Sequence, residues 1–394
     1  MGLFAALMTG PGAGAIATIL LVGESAHSVL SEISQASGNR PFAFETGRIL
    51  LGHIVDGGDT VDQVTIGCEG PGTFAIHCHG NPLIVERIMK LLQGRGVELL
   101  AAEGLLARTF AGERPDDSIV VEAKLAMTKV KTLEGARMIA AQMEGGLSQK
   151  VRQWSLEIDS VPPDEIARQA RQILRDSEIA RPIVSGCTLA LIGPPNTGKS
   201  TLLNALAGCE KAIVTDIEGT TRDWVACEIL MGPLAATVID TAGLDANVVA
   251  AGSDEIDPAA QARSIEVLHR ADLVLLVLDL SRPEVHIDAK LLETLAGKCV
   301  LTVLNKSDLP PRLDPAAMPA GLGEPVRISA KQATGIDDLI AAIGCTLGIA
   351  DLDPHTPIAF TPRQRALLER LASADAPSDP AAIIATLHHG PIRH

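Results

Sequence analysis

The residues best suited to chemistry in this 394-residue chain lie between positions 193 and 331. Gly193 to Ser200, GPPNTGKS, fits the pattern G-x-x-x-x-G-K-[ST]. Apolar TLALI precedes it and TLLNALAG follows, which predicts a strand, a glycine-rich loop and a helix. In such an arrangement the backbone N–H groups of Asn196, Thr197, Gly198, Lys199, Ser200 and Thr201 can surround a β-phosphate. Lys199 would neutralise β/γ charge, the helix N-terminus favours an anion, and the Ser200 hydroxyl can ligate magnesium.

Four later stretches narrow the chemistry. GTTRD (219–223) offers Thr220 or Thr221 to magnesium and a γ-phosphate. TVIDTAG (237–243) reads as a strand ending in Asp240, suited to holding magnesium through water, and Gly243 would turn its N–H to the γ-phosphate. CVLTVLNKSD (299–308) reads as a strand ending in Asn305, Lys306, Ser307 and Asp308. A carboxylate there can accept two hydrogen bonds from guanine N1 and N2, and pairing it with adenine would leave it unsatisfied. VRISAK (326–331) ends in Ser329, Ala330 and Lys331, suited to meeting guanine O6 through a backbone N–H. The expected ligand is therefore GTP or GDP, and the expected reaction is hydrolysis to GDP and phosphate. After D-T-A-G stands Leu244, which can neither accept nor donate a proton, so another group must orient the attacking water.

The elements that must position these residues suggest an α/β protein with four regions: an N-terminal α/β domain (1–115), a helical segment (116–183), a Ras-like P-loop G domain (184–349), and a linker with a short helical tail (350–394). Strands are expected at 15–22 and 61–69 and a helix at 82–96. Residues 119–153 read as one long helix or two, with Gly145-Gly146 as the weak point. A further helix is expected at 164–180 behind Pro162-Pro163. The tail opens with the proline-rich DLDPHTPIAFTP, followed by a short helix at 363–372, a spacer and a small helix. His388, His389 and His394 fall in that tail, where disorder is the ordinary expectation.

Aliphatic residues must build the core, because aromatics are 2% of the chain and Tyr is absent. The net charge of −15 argues against a bulk electrostatic grip on nucleic acid, so DNA is not an expected partner. Seven scattered cysteines without a C-x-x-C pair fit reduced thiols in a cytoplasm. The N-terminus lacks the basic region of a signal peptide, and no apolar stretch is long enough for a membrane span.

GPPNTGKSTLLNALAGCEKAIVTDIEGTTRDW closely resembles the P-loop and first switch of the TrmE–Era branch of GTPases. FAALMTGPGAGAIATILLVG, CHGNPLIVERIMKLLQGRGVELL and RTFAGERPDDSIVVEAKLAMTKVKTLEGARMIAAQMEGGLS resemble the N-terminal and helical parts of the MnmE (TrmE) tRNA-modification family. The resemblance covers roughly residues 1–375 and is strongest in the G domain. It implies hydrolysis on dimerisation of G domains, with a potassium ion acting as an arginine finger does. Asn196 matches the family's P-loop asparagine, and Thr215, Ile217 and Thr220 match its potassium loop. Thr221 would be the magnesium threonine. SDEID occupies the place of the family's water-orienting segment, so Asp257 aligns with its glutamate, one methylene shorter, with Asp254 and Glu255 as alternatives. The resemblance also implies wobble-uridine modification of tRNA and a partner protein or tRNA.

There are departures. The second switch carries additional residues of the ANVVA kind (246–250) before the acidic segment. The family binds a formyl-tetrahydrofolate in its N-terminal domain, yet its arginine aligns with Leu20. An acidic segment is missing between Pro71 and Ile76, and its lysine aligns near Glu113-Arg114. All three polar contacts are lost or displaced, which puts that ligand in doubt. The family ends in a cysteine motif, F-C-I-G-K, where this chain ends LHHGPIRH. The second half of the helical domain is expected to reduce to roughly one helix. The alternative function is accordingly a GTP-switched assembly or signalling module without modification chemistry. HCHG (77–80) reads as a structural turn rather than a metal site, and ARQARQILRD (167–176) as a solvated helix face.

Overall fold

The computed structural model describes residues 2–10, 12–38, 42–113, 117–208, 225–240, 267–283, 293, 295–314, 322–373 and 379–390. These divide into two units, residues 1–115 and 116–391.

The first unit is a seven-stranded sheet carrying three helices. Its strands are β1 (Phe4–Leu7), β2 (Ile16–Val22), β3 (Ser34–Ala36), β4 (Ile49–Asp56), β5 (Asp59–Gly70), β6 (Thr73–His79) and β7 (Glu98–Leu99). Their order is β3-β4-β5-β6-β2-β1-β7, antiparallel except where β7 joins β1. Helices α1 (Ala26–Ile33), α2 (Pro82–Gly94) and α3 (Ala102–Glu113) complete the unit. Alternation along β2 buries Ala17, Ile19 and Leu21 with Leu30 of α1 and Leu92 of α2. α2 starts where the sequence expects it, because the Asn81 side chain accepts from Leu83 N–H and Pro82 needs no donor.

The second unit joins a helical cluster to a parallel sheet. Helices α4 (Ser118–Met127), α5 (Leu133–Glu144), α6 (Gly146–Glu157) and α7 (Pro163–Val184) lead into strands β8 (Cys187–Ile192), β9 (Val225–Met231), β10 (Leu234–Asp240), β11 (Leu273–Asp279), β12 (Val300–Asn305) and β13 (Val326–Arg327). α8 (Lys199–Ala207) follows β8, and α9 (Ile336–Thr346), α10 (Pro362–Ala372) and α11 (Pro380–His389) close the chain. The sheet order is β13-β12-β11-β8-β10-β9, with only β9 antiparallel. β8 therefore has β10 on one side and β11 on the other. This is the switch point where an open parallel sheet presents its carboxyl ends to a ligand. β11 is buried along its whole length, as a doubly covered parallel strand should be.

Residues 119–153 form three helices rather than one or two. The break at Gly145-Gly146 is present, and the Gln142 side chain caps it by accepting from Leu147 N–H at 2.9 Å. The other break, at residues 128–132, arises because the Thr132 hydroxyl accepts from Gly135 N–H at 3.1 Å and starts α5 afresh. The proline-rich segment is pinned rather than loose. Gln142 Nε2 donates to the carbonyls of Pro354 (3.3 Å) and Thr356 (3.1 Å), and its Oε1 accepts from Ile358 N–H (3.1 Å). Ser177 Oγ takes Ala359 N–H at 2.7 Å.

The tail carries both helices that the sequence suggests, but they are packed where disorder was the ordinary expectation. Both α10 and α11 pack into the cluster around buried Trp154, so the second half of this region is two helices. Ser118 Oγ donates to Gly390 O at 2.6 Å. His388 lies 3.6 Å from the Asp117 carboxylate, and burial holds its imidazole below the ordinary range against that carboxylate's pull. His388 and His389 thus belong to a packed helix, while His394 lies outside the described residues.

One buried ion pair holds these helices together. Glu122 of α4 accepts from Arg363 Nε (2.8 Å) and one terminal nitrogen (2.7 Å), from Thr361 Oγ1 (2.9 Å) and from Gln364 Nε2 (2.8 Å). Arg363 donates onward to the carbonyl of Thr386 at 2.9 Å. Glu122→Ala is expected to cost about 3–5 kcal/mol by leaving the largely buried Arg363 guanidinium without its counter-ion. Urea unfolding followed by Trp154 fluorescence in a Trp224→Phe background measures it, and a loss below about 1 kcal/mol contradicts the clamp.

Candidate functional site

The loop between β8 and α8 is built on two glycines. Gly193 has φ +144, and a Cβ there would stand 2.1 Å from Val277 O, so only glycine lets the chain cross β11. Gly198, at φ +93, caps α8, and a Cβ there would meet Asn305 Nδ2 at 2.5 Å. Between them Asn196 is left-handed at φ 63, a conformation asparagine tolerates better than most residues. The Thr197 hydroxyl donates to Pro194 O at 3.0 Å. Lys199 is buried, and its ammonium donates to the carbonyls of Gly193 (2.8 Å) and Pro194 (3.2 Å). The lysine is thus folded into the loop at the helix N-terminus, where backbone N–H groups have no intrahelical acceptor. Ser200 and Thr201 are exposed on the first turn of α8.

The loops after β12 and β13 meet this one through Asn305. Its carboxamide is buried; Nδ2 donates to Thr197 O at 2.8 Å, and Oδ1 accepts from Lys306 N–H (2.8 Å) and Ala330 N–H (2.9 Å). Three loops distant in sequence are thereby joined by one side chain. This departs from the expectation that Ala330 is open to guanine O6, because in this structure its N–H is taken by Asn305. Asp308 accepts from Ser329 Oγ at 2.6 Å, and that hydrogen bond holds its carboxyl below the usual carboxylate range. Ser329 is buried, bridges to Thr334, and accepts from Gln332 N–H. Lys331 is exposed beside it.

Lys306 is also left-handed, at φ 66. Its ammonium donates to Asn196 O at 2.7 Å and to Asp279 Oδ2 at 2.6 Å. Asp279 Oδ1 accepts from Ser281 N–H (2.9 Å) and Oγ (2.6 Å). Burial pushes the Asp279 carboxyl up, but the Lys306 and Ser281 hydrogen bonds outweigh it and leave it below its ordinary value. Sequence reasoning missed Asp279. The signal was present: a single acidic residue closing the apolar run LVLLVLD at a strand's carboxyl end.

The structure thus brings together Asn196, Thr197, Gly198, Lys199, Asn305, Lys306, Asp308, Ser329 and Ala330. Asp240 closes β10 in backbone register with Leu191 of β8. Thr215, Ile217, Thr220, Thr221, Gly243 and Asp257, with Leu244, Asp254 and Glu255, lie outside the described residues. Elsewhere, His77 bonds Thr18 Oγ1 at 3.0 Å and His79 bonds Asp62 at 2.7 Å. Among the described residues no group of three or more His, Cys, Asp or Glu is gathered to hold a metal ion. The arginines of 167–176 pair along α7, as Arg168 does with Glu165 at 2.6 Å, or donate to Ala372 O, as Arg171 does.

Comparison with known proteins agrees with this chemistry. A family model described as 50S ribosome-binding GTPase matches residues 188–306, and one described as GTP-binding protein TrmE N-terminus matches residues 3–112. The tRNA modification GTPase MnmE of Bacillus subtilis (strain 168) is 33% identical over 381 residues, covering 87% of this chain and 82% of that one. The proteins of the same name from Clostridioides difficile (strain 630) and Synechococcus sp. (strain CC9605) are 29% and 30% identical. They cover 85% and 94% of this chain, and 79% and 87% of their own lengths.

Asn305→Ala strips Thr197 O, Lys306 N–H and Ala330 N–H of their common partner. Leaving buried polar groups unsatisfied costs about 1–3 kcal/mol each, so GDP affinity should fall on the order of 100-fold. Titration with fluorescent GDP checks this; a change under about threefold removes Asn305 as the organiser of the site.

Proposed function

The chain belongs to the MnmE (TrmE) family of GTPases, and from that premise we propose that it hydrolyses GTP in a potassium-stimulated cycle serving wobble-uridine modification of tRNA. The observation that carries the reading is the grip of Asn305 and Lys306 on two successive P-loop carbonyls. It joins a phosphate cradle to a loop bearing the Asp308 carboxylate. A guanine base would meet Asp308 while its phosphates meet Lys199 and the first turn of α8.

The donor set fits two cations. Ser200 is an exposed hydroxyl on the first turn of α8, and hydroxyls with water and phosphate oxygens suit magnesium. Ser200 and Thr221 would hold it, with Asp240 acting through water. Asn196 exposes a carboxamide beside the cradle; with Thr215, Ile217 and Thr220 it would supply neutral oxygens to potassium. Bound there, the two cations supply charge neutralisation at the phosphates. The chain's own part is to hold those phosphates: Lys199 shifts from the loop carbonyls to the anion, and Gly243 adds an N–H. Asp257 orients the attacking water in place of the glutamine that Leu244 displaces. Homodimerisation through the G domains would complete the site, in the cytoplasm, where the six described cysteines would stay as the free thiols they are here. No helix among the described residues is long and apolar enough to cross a membrane.

A second reading, a GTP-switched assembly module without modification chemistry, is favoured by Leu20. It stands in β2 between Ala6 and Ala75, where an aliphatic side chain replaces the charge a folate carboxylate would need. The first reading expects GTP hydrolysis at least about tenfold faster in potassium than in sodium. Asn196→Ala should abolish that difference, and Asp257→Ala should lower kcat by about 100-fold. Equal rates in the two salts overturn the potassium reading, and an unaffected Asp257→Ala rate removes that carboxylate. Nucleoside analysis of tRNA from a host lacking its own family member decides between the two functions. Restored wobble modification supports the first; intact GTPase without it selects the second.

A further inference from the structure

We infer that Asp279 is a positioning residue for nucleotide binding, acting through Lys306 on the phosphate loop. Asp279 closes β11 directly opposite Asn305 across the β11–β12 ladder. Its side chain is 4% exposed, and its Oδ2 receives the Lys306 ammonium at 2.6 Å. The same ammonium donates to Asn196 O at 2.7 Å. The neighbouring residue, Asn305, donates to Thr197 O. Two consecutive carbonyls of the phosphate loop are therefore held by two consecutive side chains of the base loop. Asn305 has a rigid carboxamide with partners on both its nitrogen and its oxygen. Lys306 has a flexible four-carbon stem and three donors, so without an anchor its ammonium has no reason to stay on one carbonyl. The Asp279 carboxylate is that anchor.

The surroundings fit a positioning role better than a packing one. The second oxygen of Asp279 is fixed by Ser281 N–H and Oγ, which sets the carboxylate plane before Lys306 arrives. Arg282 lies 3.5 Å from Oδ2 but is more than half exposed, so it does not replace the lysine as the partner in the interior. A buried ion pair that served packing alone could be exchanged for apolar residues at little cost. This one reaches beyond the pair to a backbone oxygen of Asn196, a left-handed residue of the cradle. Losing the anchor should loosen the cradle without touching the groups that meet the reacting atoms.

The test is a double-mutant cycle on the full chain, read by the Kd of fluorescent GDP and by the split between KM and kcat for GTP. Asp279→Asn keeps the volume and removes the charge. It should weaken GDP binding by about tenfold and raise KM similarly, with kcat changed less than about threefold. In a Lys306→Met background the same substitution should change GDP affinity less than about twofold, because the carboxylate acts only through the ammonium. Asp279→Ala should behave as Asp279→Asn does or more severely; if it fails to fold, the asparagine arm decides. Equal losses in both backgrounds, no loss in the Lys306 background of the natural chain, or a fall confined to kcat each overturn the inference.

Discussion

The proposed nucleotide site depends on one buried carboxamide. Asn305 ends β12, faces the interior, and satisfies a carbonyl of the phosphate loop and two N–H groups of the base loops. No apolar residue of that size could do this, because the three groups it serves would then be buried without partners. The side chain also sets the spacing between loops. Gly198 must lack a Cβ for Asn305 Nδ2 to reach Thr197 O, so the glycine of one motif and the asparagine of another, more than a hundred residues later, specify each other.

The same device recurs in the helical cluster. Gln142 makes hydrogen bonds to the α5–α6 junction and to the strap at 354–358, and Glu122 ties α4 to α10. Apolar packing brings these helices together but does not fix their register, since aliphatic side chains slide against one another at small cost. A buried amide or carboxylate is satisfied in one arrangement only. The chain exiting the parallel sheet after α9 is therefore delivered to a defined place on α5 and α7.

The loops of the proposed site were legible in the sequence where backbone geometry forces a residue type. Gly193, Gly198, Lys199 and Asn305 announce themselves because few other residues can occupy those conformations or make those bonds. The strand and helix around the loop followed from hydrophobic periodicity, and β2, α2 and α7 lie where that periodicity put them. Three features were not legible. The break at residues 128–132 depends on whether Thr132 caps a helix or rides inside one, which tertiary packing decides. The proline-rich strap looked like a linker because its partners, Gln142 and Ser177, lie far away in sequence. Asp279 was passed over because its role requires knowing that β11 and β12 are neighbours in register.

Backbone strain gives an independent view of the proposed site. Among the described residues, three that are not glycine have positive φ: Asn196, Lys306 and Ala333. Asn196 is in the phosphate loop, Lys306 in the base loop, and Ala333 in the turn closed by the Ser329–Thr334 bridge. Each such conformation costs on the order of 1–3 kcal/mol and persists only where the surroundings over-determine it. The surroundings here do so by hydrogen bonding. Asn196 is held through its carbonyl, Lys306 through both its N–H and its ammonium, and the turn through the two hydrogen bonds between Ser329 and Thr334. Strain and polar restraint coincide along the carboxyl edge of the parallel sheet. The fold holds the two loops in conformations they would not adopt alone, so a ligand that fits both need not supply the free energy of ordering them.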